Sequence, residues 1–150
     1  MTDRPKPLPQ LAGVNAYVPG EAPKYTGGPS YKLASNENPL GASPKAKAVY
    51  AEMAAKLEIY PDGGARDLKA AIATKHGLDP NRLVVGAGSD EIFLMLGRAY
   101  LGPGDESICT LHAFAIYAII AQQQGSKIIE VAEKNFTADV DAILAAVTPK

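Results

Sequence analysis

Cysteine is almost absent from the sequence, which contains only Cys109. A lone thiol cannot form a disulfide within its own chain, and such sparing use of cysteine is typical of a reducing compartment. The start of the chain, MTDRPKPLPQ, lacks the basic-then-apolar pattern of a secretory signal. No apolar run approaches the roughly 20 residues that a membrane-spanning helix needs. We therefore expect a cytoplasmic protein that does not bind a membrane.

An excess of charge of either sign is also missing, because 15 basic and 16 acidic residues leave a formal net charge of -1. Without a basic run, the sequence gives no reason to expect nucleic acid as a partner. The 150 residues are 47% hydrophobic and 21% charged, which is typical of a soluble globular domain with a core of its own. We expect no metal site.

Residues 1–30 are rich in proline and glycine and follow neither the strand period nor the helix period. This composition predicts an extended arm, although it is equally typical of a disordered terminus. After the arm, Ser43 is a candidate N-cap and Pro44 a candidate first residue of a helix over SPKAKAVYAEMAAKLE. The turn cluster YPDGG separates this helix from a second one, about Ala65 to His76, which Gly77 would end.

From residue 82 onward, short apolar segments alternate with helical ones. The predicted strands are Arg82–Val85, Glu106–Thr110 and Lys127–Val131, and the predicted helices are Asp90–Leu101, Phe114–Gln124 and Val140–Val147. Strands that alternate with helices through short connections predict a parallel, three-layer α/β sheet. Three strands would leave the edges of such a sheet exposed, so we expect the sequence to be part of a longer protein.

The stretch VVGAGSDEIF, residues 84–93, allows two interpretations. Gly86 and Gly88 could simply make a tight turn into a well-capped helix. They could also let the backbone approach a phosphate, because the start of a helix offers free N–H groups and a partial positive charge. The partial match to GxGxxG does not indicate a dinucleotide site, because the next strand ends in Cys109 and Thr110 instead of an acid. From these residues alone, the turn and the phosphate seat are about equally favoured.

Several motifs taken together resemble the N-terminal part of histidinol-phosphate aminotransferases: YVPG, LASNENPLGASP, IYPDGGARDLKAAIA, VVGAGSDEIF, LGPGDE and HAFAIY, in that order. The resemblance runs from about Val14 to Lys150. It implies a homodimeric pyridoxal 5'-phosphate enzyme of the aspartate-aminotransferase fold, which is α/β with a mostly parallel three-layer sheet. It also implies three regions: an N-terminal arm over 1–30, a substrate loop and interface helices over 31–78, and the first part of the large cofactor-binding domain over 79–150.

The family's cofactor-binding positions fall on five residues of this sequence. The resemblance implies that the backbone N–H groups of Ser89 and Asp90 hold the cofactor phosphate, which favours the phosphate interpretation of the glycine turn. It implies that Phe114 stacks on the pyridine ring and that Tyr117 lies near the far edge of that ring, although the two could also be a core residue and part of a helix-packing stripe. Tyr60 would donate a hydrogen bond to the cofactor phosphate of the other subunit.

Four further positions match residues that bind the substrate in the family. Tyr17 matches an arm residue that closes over the substrate. Asn36, Glu37 and Asn38 match a loop that lines the substrate pocket, although the two asparagines could instead only organise the turn before the first helix. His112 departs from the family pattern, and we interpret it as a structural residue.

The family's other functional groups match positions beyond Lys150. These are the Schiff-base lysine, the Asp that pairs with the pyridinium nitrogen, and the arginines that bind the acidic ends of the substrates. We therefore expect no catalytic residue within this chain and no activity from it alone.

The resemblance implies transfer of an amino group between L-histidinol phosphate and 2-oxoglutarate, with glutamate as its counterpart, in histidine biosynthesis. Within the same fold, an aromatic-amino-acid aminotransferase or a phosphothreonine-type decarboxylase is the alternative. A non-catalytic phosphate-binding α/β module is the alternative from another class of protein.

Overall fold

The computed structural model describes residues 6–20, 24, 27–29 and 31–150. These residues form two compact units. We call the described part of Met1–Tyr17 together with Val84–Lys150 the sheet unit, and the described part of Val18–Leu83 the helical unit. The regions predicted from the sequence divide the chain at other positions, after residues 30 and 78, and the roles given to them stay predictions.

The helical unit contains two α-helices. Helix α1, Pro44–Met53, begins as predicted: Ser43 is the N-cap, and its hydroxyl accepts a hydrogen bond from the Ala46 N–H at 3.2 Å. The α-helix ends earlier than predicted, and a 3₁₀ turn, Ala54–Lys56, follows it.

Helix α2, Arg66–His76, confirms the second predicted helix. It begins at Arg66 because Ala65 has a left-handed backbone with φ 46°, which a right-handed helix cannot include. It ends at Gly77, whose φ of 66° is the left-handed conformation that glycine adopts readily at a C-terminus.

The sheet unit alternates helices and strands: α3 (Gly88–Tyr100), β1 (Glu106–Thr110), α4 (Ala115–Gln124), β2 (Lys127–Val131) and α5 (Val140–Ala145). Both strands have the predicted boundaries, and they pair in parallel from Glu106 with Lys127 to Thr110 with Val131. The small core lies where α4 covers the sheet, with Ile120, Ala121 and Val131 buried. An α/β fold with a parallel sheet is thus confirmed.

The predicted strand Arg82–Val85 is wrong. Arg82 ends a 3₁₀ turn, Pro80–Arg82, and the residues after it are unpaired. A strand exists only where its backbone groups bond to a neighbour, and within the described residues the sheet consists of β1 and β2 alone. Val84, in the predicted strand, is 72% exposed.

The N-terminal arm differs from the expected extended chain. Of the predicted arm, residues 1–5, 21–23, 25, 26 and 30 lie outside the described residues. In the described part, Pro9–Gly13 form a 3₁₀ helix that contacts α4. The fixed φ of Pro9 suits the first position of this turn, and the Leu11 N–H donates to the Leu8 carbonyl at 3.0 Å.

Among the helices of the described residues, none is long and apolar enough to cross a membrane.

Candidate cofactor site

The glycine turn ends in the N-terminus of α3. Gly88 begins the helix with φ 80°, a conformation that residues with a Cβ rarely adopt, and its N–H donates to the Gly86 carbonyl at 2.9 Å. Ser89 and Asp90 follow in the first turn, where the helix itself provides no acceptor for their N–H groups. The helix start also carries a partial positive charge, so these two N–H groups can bind an anion.

The two glycines of this turn have different roles. A Cβ at Gly86 would lie 2.9 Å from the Glu91 carboxylate and 3.0 Å from Ile92, so this glycine makes room for the first turn of α3. A Cβ at Gly88 would meet no described atom within 4 Å. The space beside Gly88 is therefore open among the described residues.

Glu91 does not obstruct this space in the described conformation. Its carboxylate folds back and accepts a hydrogen bond from the Ala87 N–H at 2.5 Å. The bond satisfies a donor that precedes the helix and leaves the N–H groups of Ser89 and Asp90 for a ligand.

Aromatic side chains form a cluster at the start of α4. Phe114 is the N-cap residue of α4, and its ring packs edge-to-face against Tyr17, with 5.9 Å between the ring centroids, and against Tyr117, at 6.0 Å. The exposed fractions are 41% for Phe114, 46% for Tyr17 and 37% for Tyr117, so none of the three is a core residue. The structure thus brings together two residues predicted to bind the cofactor and one predicted to bind the substrate.

Phe93 belongs to the same cluster, although none of the sequence motifs pointed to it. Its ring lies edge-to-face on Tyr117, with 4.8 Å between the centroids. A signal was present in the sequence, because Phe93 lies four residues after Ser89 on α3 and therefore on the same face of the helix, one turn further on.

A carboxylate joins the ends of the two strands. Glu133, which follows β2, accepts hydrogen bonds from the backbone N–H of His112 at 3.2 Å and from the His112 ring nitrogen Nδ1 at 2.5 Å. Hydrogen bonds from the Thr110 side chain and then from His112 hold the pKa of the Glu133 carboxyl below its ordinary value. These contacts fit the structural role expected for His112.

The other predicted site residues lie in the helical unit. Asn38 organises a turn: its Oδ1 accepts from the Leu40 N–H at 3.0 Å, and its Nδ2 donates to the Gly41 carbonyl at 3.2 Å. Glu37 forms an exposed ion pair with Lys32 at 2.8 Å. These bonds agree with the turn interpretation of Asn38, and a substrate role for the loop stays a prediction.

Asn36 and Tyr60 are both exposed, Tyr60 to 95%. Tyr60 precedes the turn held by Asp62, whose carboxylate accepts hydrogen bonds from the N–H groups of Gly64 and Arg66. The Tyr60 hydroxyl is therefore accessible on a well-defined bend.

No protein-family model matches the chain. Among curated proteins, it is similar to histidinol-phosphate aminotransferase from Rhodopseudomonas palustris (strain BisB18), at 48% identity over 147 residues. It is also similar to that of Nitrobacter winogradskyi, at 47% identity over 148 residues. These alignments cover 97% and 98% of the chain, and the chain spans about 40% of the length of each relative.

The fold of the chain resembles the solved structures of three aminotransferases. Histidinol-phosphate aminotransferase from Sinorhizobium meliloti, in complex with pyridoxal-5'-phosphate, matches with a TM-score of 0.72 at 23% identity, over 75% of this chain and 30% of that one. Aspartate aminotransferase from Rhizobium meliloti matches with a TM-score of 0.65 at 20% identity, over 78% and 32%. Aromatic aminotransferase from Pyrococcus horikoshii OT3 matches with a TM-score of 0.58 at 30% identity, over 72% and 32%.

Over nearly all of its length, the chain is therefore homologous to the N-terminal part of histidinol-phosphate aminotransferases, and its fold is the corresponding part of the aspartate-aminotransferase fold.

Proposed function

We propose that the chain is the N-terminal, cofactor-holding part of an aminotransferase that uses pyridoxal 5'-phosphate and moves an amino group between L-histidinol phosphate and 2-oxoglutarate. The observation that carries the proposal is the 48% identity over 147 residues to the histidinol-phosphate aminotransferase of Rhodopseudomonas palustris (strain BisB18). Because the chain spans only 40% of that relative, the activity is proposed for a longer protein that contains it.

In this proposal, the cofactor phosphate binds at the start of α3. The N–H groups of Ser89 and Asp90 donate to its oxygens, and the partial charge of the helix N-terminus favours the anion. The open space at Gly88 and the retracted Glu91 carboxylate support this assignment.

The ring of the cofactor binds against the aromatic cluster. Phe114 stacks on the pyridine ring, Tyr117 lies at its far edge, and Tyr17 closes over the substrate. The support is that these three rings contact one another and remain more than one third exposed, so each keeps surface for a ligand.

Tyr60 of the helical unit acts, in this proposal, on the site of a second copy of the protein. Tyr60 donates a hydrogen bond to the phosphate held by the partner, while Asn36, Glu37 and Asn38 line the substrate pocket. The exposed hydroxyl of Tyr60 supports this role, because a side chain that is 95% exposed is available to a partner. The assembly is a homodimer in the cytoplasm.

Pyridoxal phosphate would supply the electron sink that lets an amino group leave one carbon and join another. The residues of this chain bind and orient it: the helix start fixes the phosphate, Phe114 fixes the plane of the ring, and Tyr17 excludes water above the substrate. The lysine that moves the proton is expected outside the chain, which explains why none of its own residues is assigned as a catalytic base.

The test is to purify the full-length protein, add pyridoxal phosphate and follow amino transfer to 2-oxoglutarate from histidinol phosphate, tyrosine and phenylalanine separately. We expect the highest kcat/KM with histidinol phosphate. Release of carbon dioxide from a phosphorylated amino acid would indicate a decarboxylase instead. A folded protein that does not bind pyridoxal phosphate would support a non-catalytic phosphate-binding module.

A second candidate is an aromatic-amino-acid aminotransferase, favoured by the 30% identity to the Pyrococcus horikoshii enzyme over 72% of the chain. The same assay separates the two functions, because a higher kcat/KM with tyrosine or phenylalanine than with histidinol phosphate would establish this second function.

A further inference from the structure

A carboxylate that follows β2 holds the loop between β1 and α4. Glu133 accepts two hydrogen bonds from the same loop residue, His112: one from its backbone N–H at 3.2 Å and one from its ring Nδ1 at 2.5 Å. The side chain of Glu133 is only 8% exposed, whereas that of His112 is 59% exposed. The contact is therefore anchored on the Glu133 side and open to solvent on the His112 side.

Each of the other two residues of this loop also has a backbone hydrogen bond. The Leu111 N–H donates to the Val131 carbonyl at 3.0 Å, and the Ala113 N–H donates to the Thr110 carbonyl at 3.1 Å. With the bond from His112 to Glu133, all three residues between β1 and Phe114 have a bonded N–H group. Of these three bonds, the one to Glu133 is the only one that uses a side chain as the acceptor, so it alone can be removed by substitution.

A carboxylate that is almost buried is costly unless its oxygens accept hydrogen bonds. Thr110 and His112 supply them and hold the pKa of Glu133 low, which keeps the carboxylate ionised at neutral pH. A charged acceptor makes shorter and stronger hydrogen bonds than a neutral one. Glu133 is therefore suited to fix His112, and Phe114 lies two residues further along the chain.

We propose that Glu133 and His112 are positioning residues for the aromatic ring of Phe114, holding the β1–α4 loop so that this ring faces the cofactor in its stacking orientation. The inference rests on the proposed function, in which Phe114 stacks on pyridoxal phosphate. Neither residue touches the cofactor in this role, because both act through the loop.

The test is a double-mutant cycle in the full-length protein. Pyridoxal phosphate is titrated into the apoprotein of the wild type, Glu133→Ala, Phe114→Leu and the double variant. Loss of stacking is worth roughly a threefold to tenfold rise in the dissociation constant. We expect Glu133→Ala to cause a rise of this size when Phe114 is present and less than about a twofold rise when leucine replaces it, since the ring to be positioned is then gone.

Two further measurements separate positioning from general stability. The circular dichroism of the bound cofactor should change in Glu133→Ala, because the ring against which the cofactor packs has moved. Glu133→Gln should recover most of the affinity, since an amide can accept from the His112 N–H and donate to Nδ1. Glu130→Ala is the matched control: it removes an exposed carboxylate from β2 and should leave both readouts unchanged.

Should Glu133→Ala fail to fold, His112→Ala replaces it in the same cycle, because the imidazole is largely exposed and its loss leaves no buried cavity. The positioning role would be overturned if the loop variant raised the dissociation constant equally in the Phe114 and the Phe114→Leu backgrounds. The proposed function would remain intact. Reduced stability of the apoprotein with unchanged cofactor affinity would also overturn the positioning role alone. A wild-type protein that does not bind pyridoxal phosphate would overturn both.

Discussion

Asp62 shows how a single side chain can shape the turn that carries Tyr60. Its Oδ1 accepts from the Gly64 N–H at 3.1 Å, and its Oδ2 accepts from the N–H and Nε of Arg66 at 2.9 and 3.1 Å. The turn contains Ala65 at φ 46°, a left-handed conformation that costs a residue with a Cβ about 1–2 kcal/mol. The hydrogen bonds to Asp62 offset this cost.

The stabilisation by Asp62 should depend on pH. Hydrogen bonds from the Arg66 and Gly64 backbone lower the pKa of Asp62 from its ordinary value of 3.8, so the folded state binds this proton less readily than the unfolded state. The contribution is present above that ordinary value and is lost as the pH falls through the folded-state pKa. We expect Asp62→Asn to lower the free energy of unfolding at pH 7 and to lower it less in acid, near pH 3, as measured by urea unfolding.

Asp67→Asn is the control for this experiment, because it removes a nearby charge from the first turn of α2 but none of the three hydrogen bonds of Asp62. A difference between Asp62→Asn and the wild type that stays constant from neutral to acidic pH would contradict the assigned cause.

Individual caps could be predicted from the sequence because they depend on neighbouring residues only. Ser43 begins α1 and Gly77 ends α2 as expected, since an N-cap hydroxyl and a left-handed glycine act within one turn of the chain. The exposure of Val84 could not be predicted in the same way, because the burial of a strand residue depends on whether a distant segment pairs with it.

At the scale of elements, α3 and α4 pack closely because Gly97 lacks a side chain. A Cβ at Gly97 would lie 2.5 Å from Cγ2 of Ile120, closer than real contacts allow. Gly97 and Ile120 are both buried, so the two helices cannot separate without exposing part of the small core.

Gly97→Ala should therefore destabilise the protein despite the better helix propensity of alanine. The propensity gain is about 0.5–1 kcal/mol, whereas forcing extra volume into a packed contact costs about 1–3 kcal/mol. We expect a lower midpoint in urea unfolding of the full-length apoprotein. Gly13→Ala is the matched control, because an added Cβ there meets no described atom within 4 Å. An unchanged or higher midpoint for Gly97→Ala would show that the helices can shift apart at little cost.

Most elements were predictable because helix and strand periods are local patterns. Within the described residues, both strands of the sheet have the predicted boundaries, and all five α-helices lie where the sequence placed them, with ends that differ by a few residues. The two failures are segments decided by tertiary contacts: Arg82–Val85 has no pairing partner within the described residues, and Pro9–Gly13 pack on α4. The helix spacing places Phe93 on the face of Ser89, but its contact with Tyr117 is tertiary and could not be predicted from that spacing.

At the scale of the whole molecule, the proposed function assigns the Schiff-base lysine to a position outside this chain. In that proposal the chain contributes the start of α3 for the phosphate and the aromatic cluster for the ring, and none of its lysines bonds the cofactor. We expect the 150-residue chain alone to show no amino transfer. We also expect no absorbance band of lysine-bonded pyridoxal phosphate in spectrophotometric titration. A band that disappears on substituting one specific lysine of the chain would contradict the proposal.

In the proposed function, Tyr60 binds the cofactor phosphate of a second copy of the protein. Its hydroxyl is exposed on a bend held by Asp62, so Tyr60→Phe removes a donor without disturbing a packed ring. One hydrogen bond to a charged group is worth about 1.5–3 kcal/mol, so the substitution should weaken cofactor binding by roughly one to two orders of magnitude. Equilibrium titration of the full-length apoprotein with pyridoxal phosphate measures this change.

Subunit mixing then decides whether Tyr60 acts on its own subunit or on its partner. Full-length Tyr60→Phe subunits are mixed with subunits that lack the catalytic lysine, each inactive or weakly active alone. When Tyr60 acts across the interface, a mixed dimer has one site with both defects and one site with neither, so activity returns. When Tyr60 acts within its own subunit, each site keeps one defect and mixing restores nothing. We expect activity to return, because Tyr60 is almost fully exposed within its own chain and its hydroxyl is free to reach a second copy.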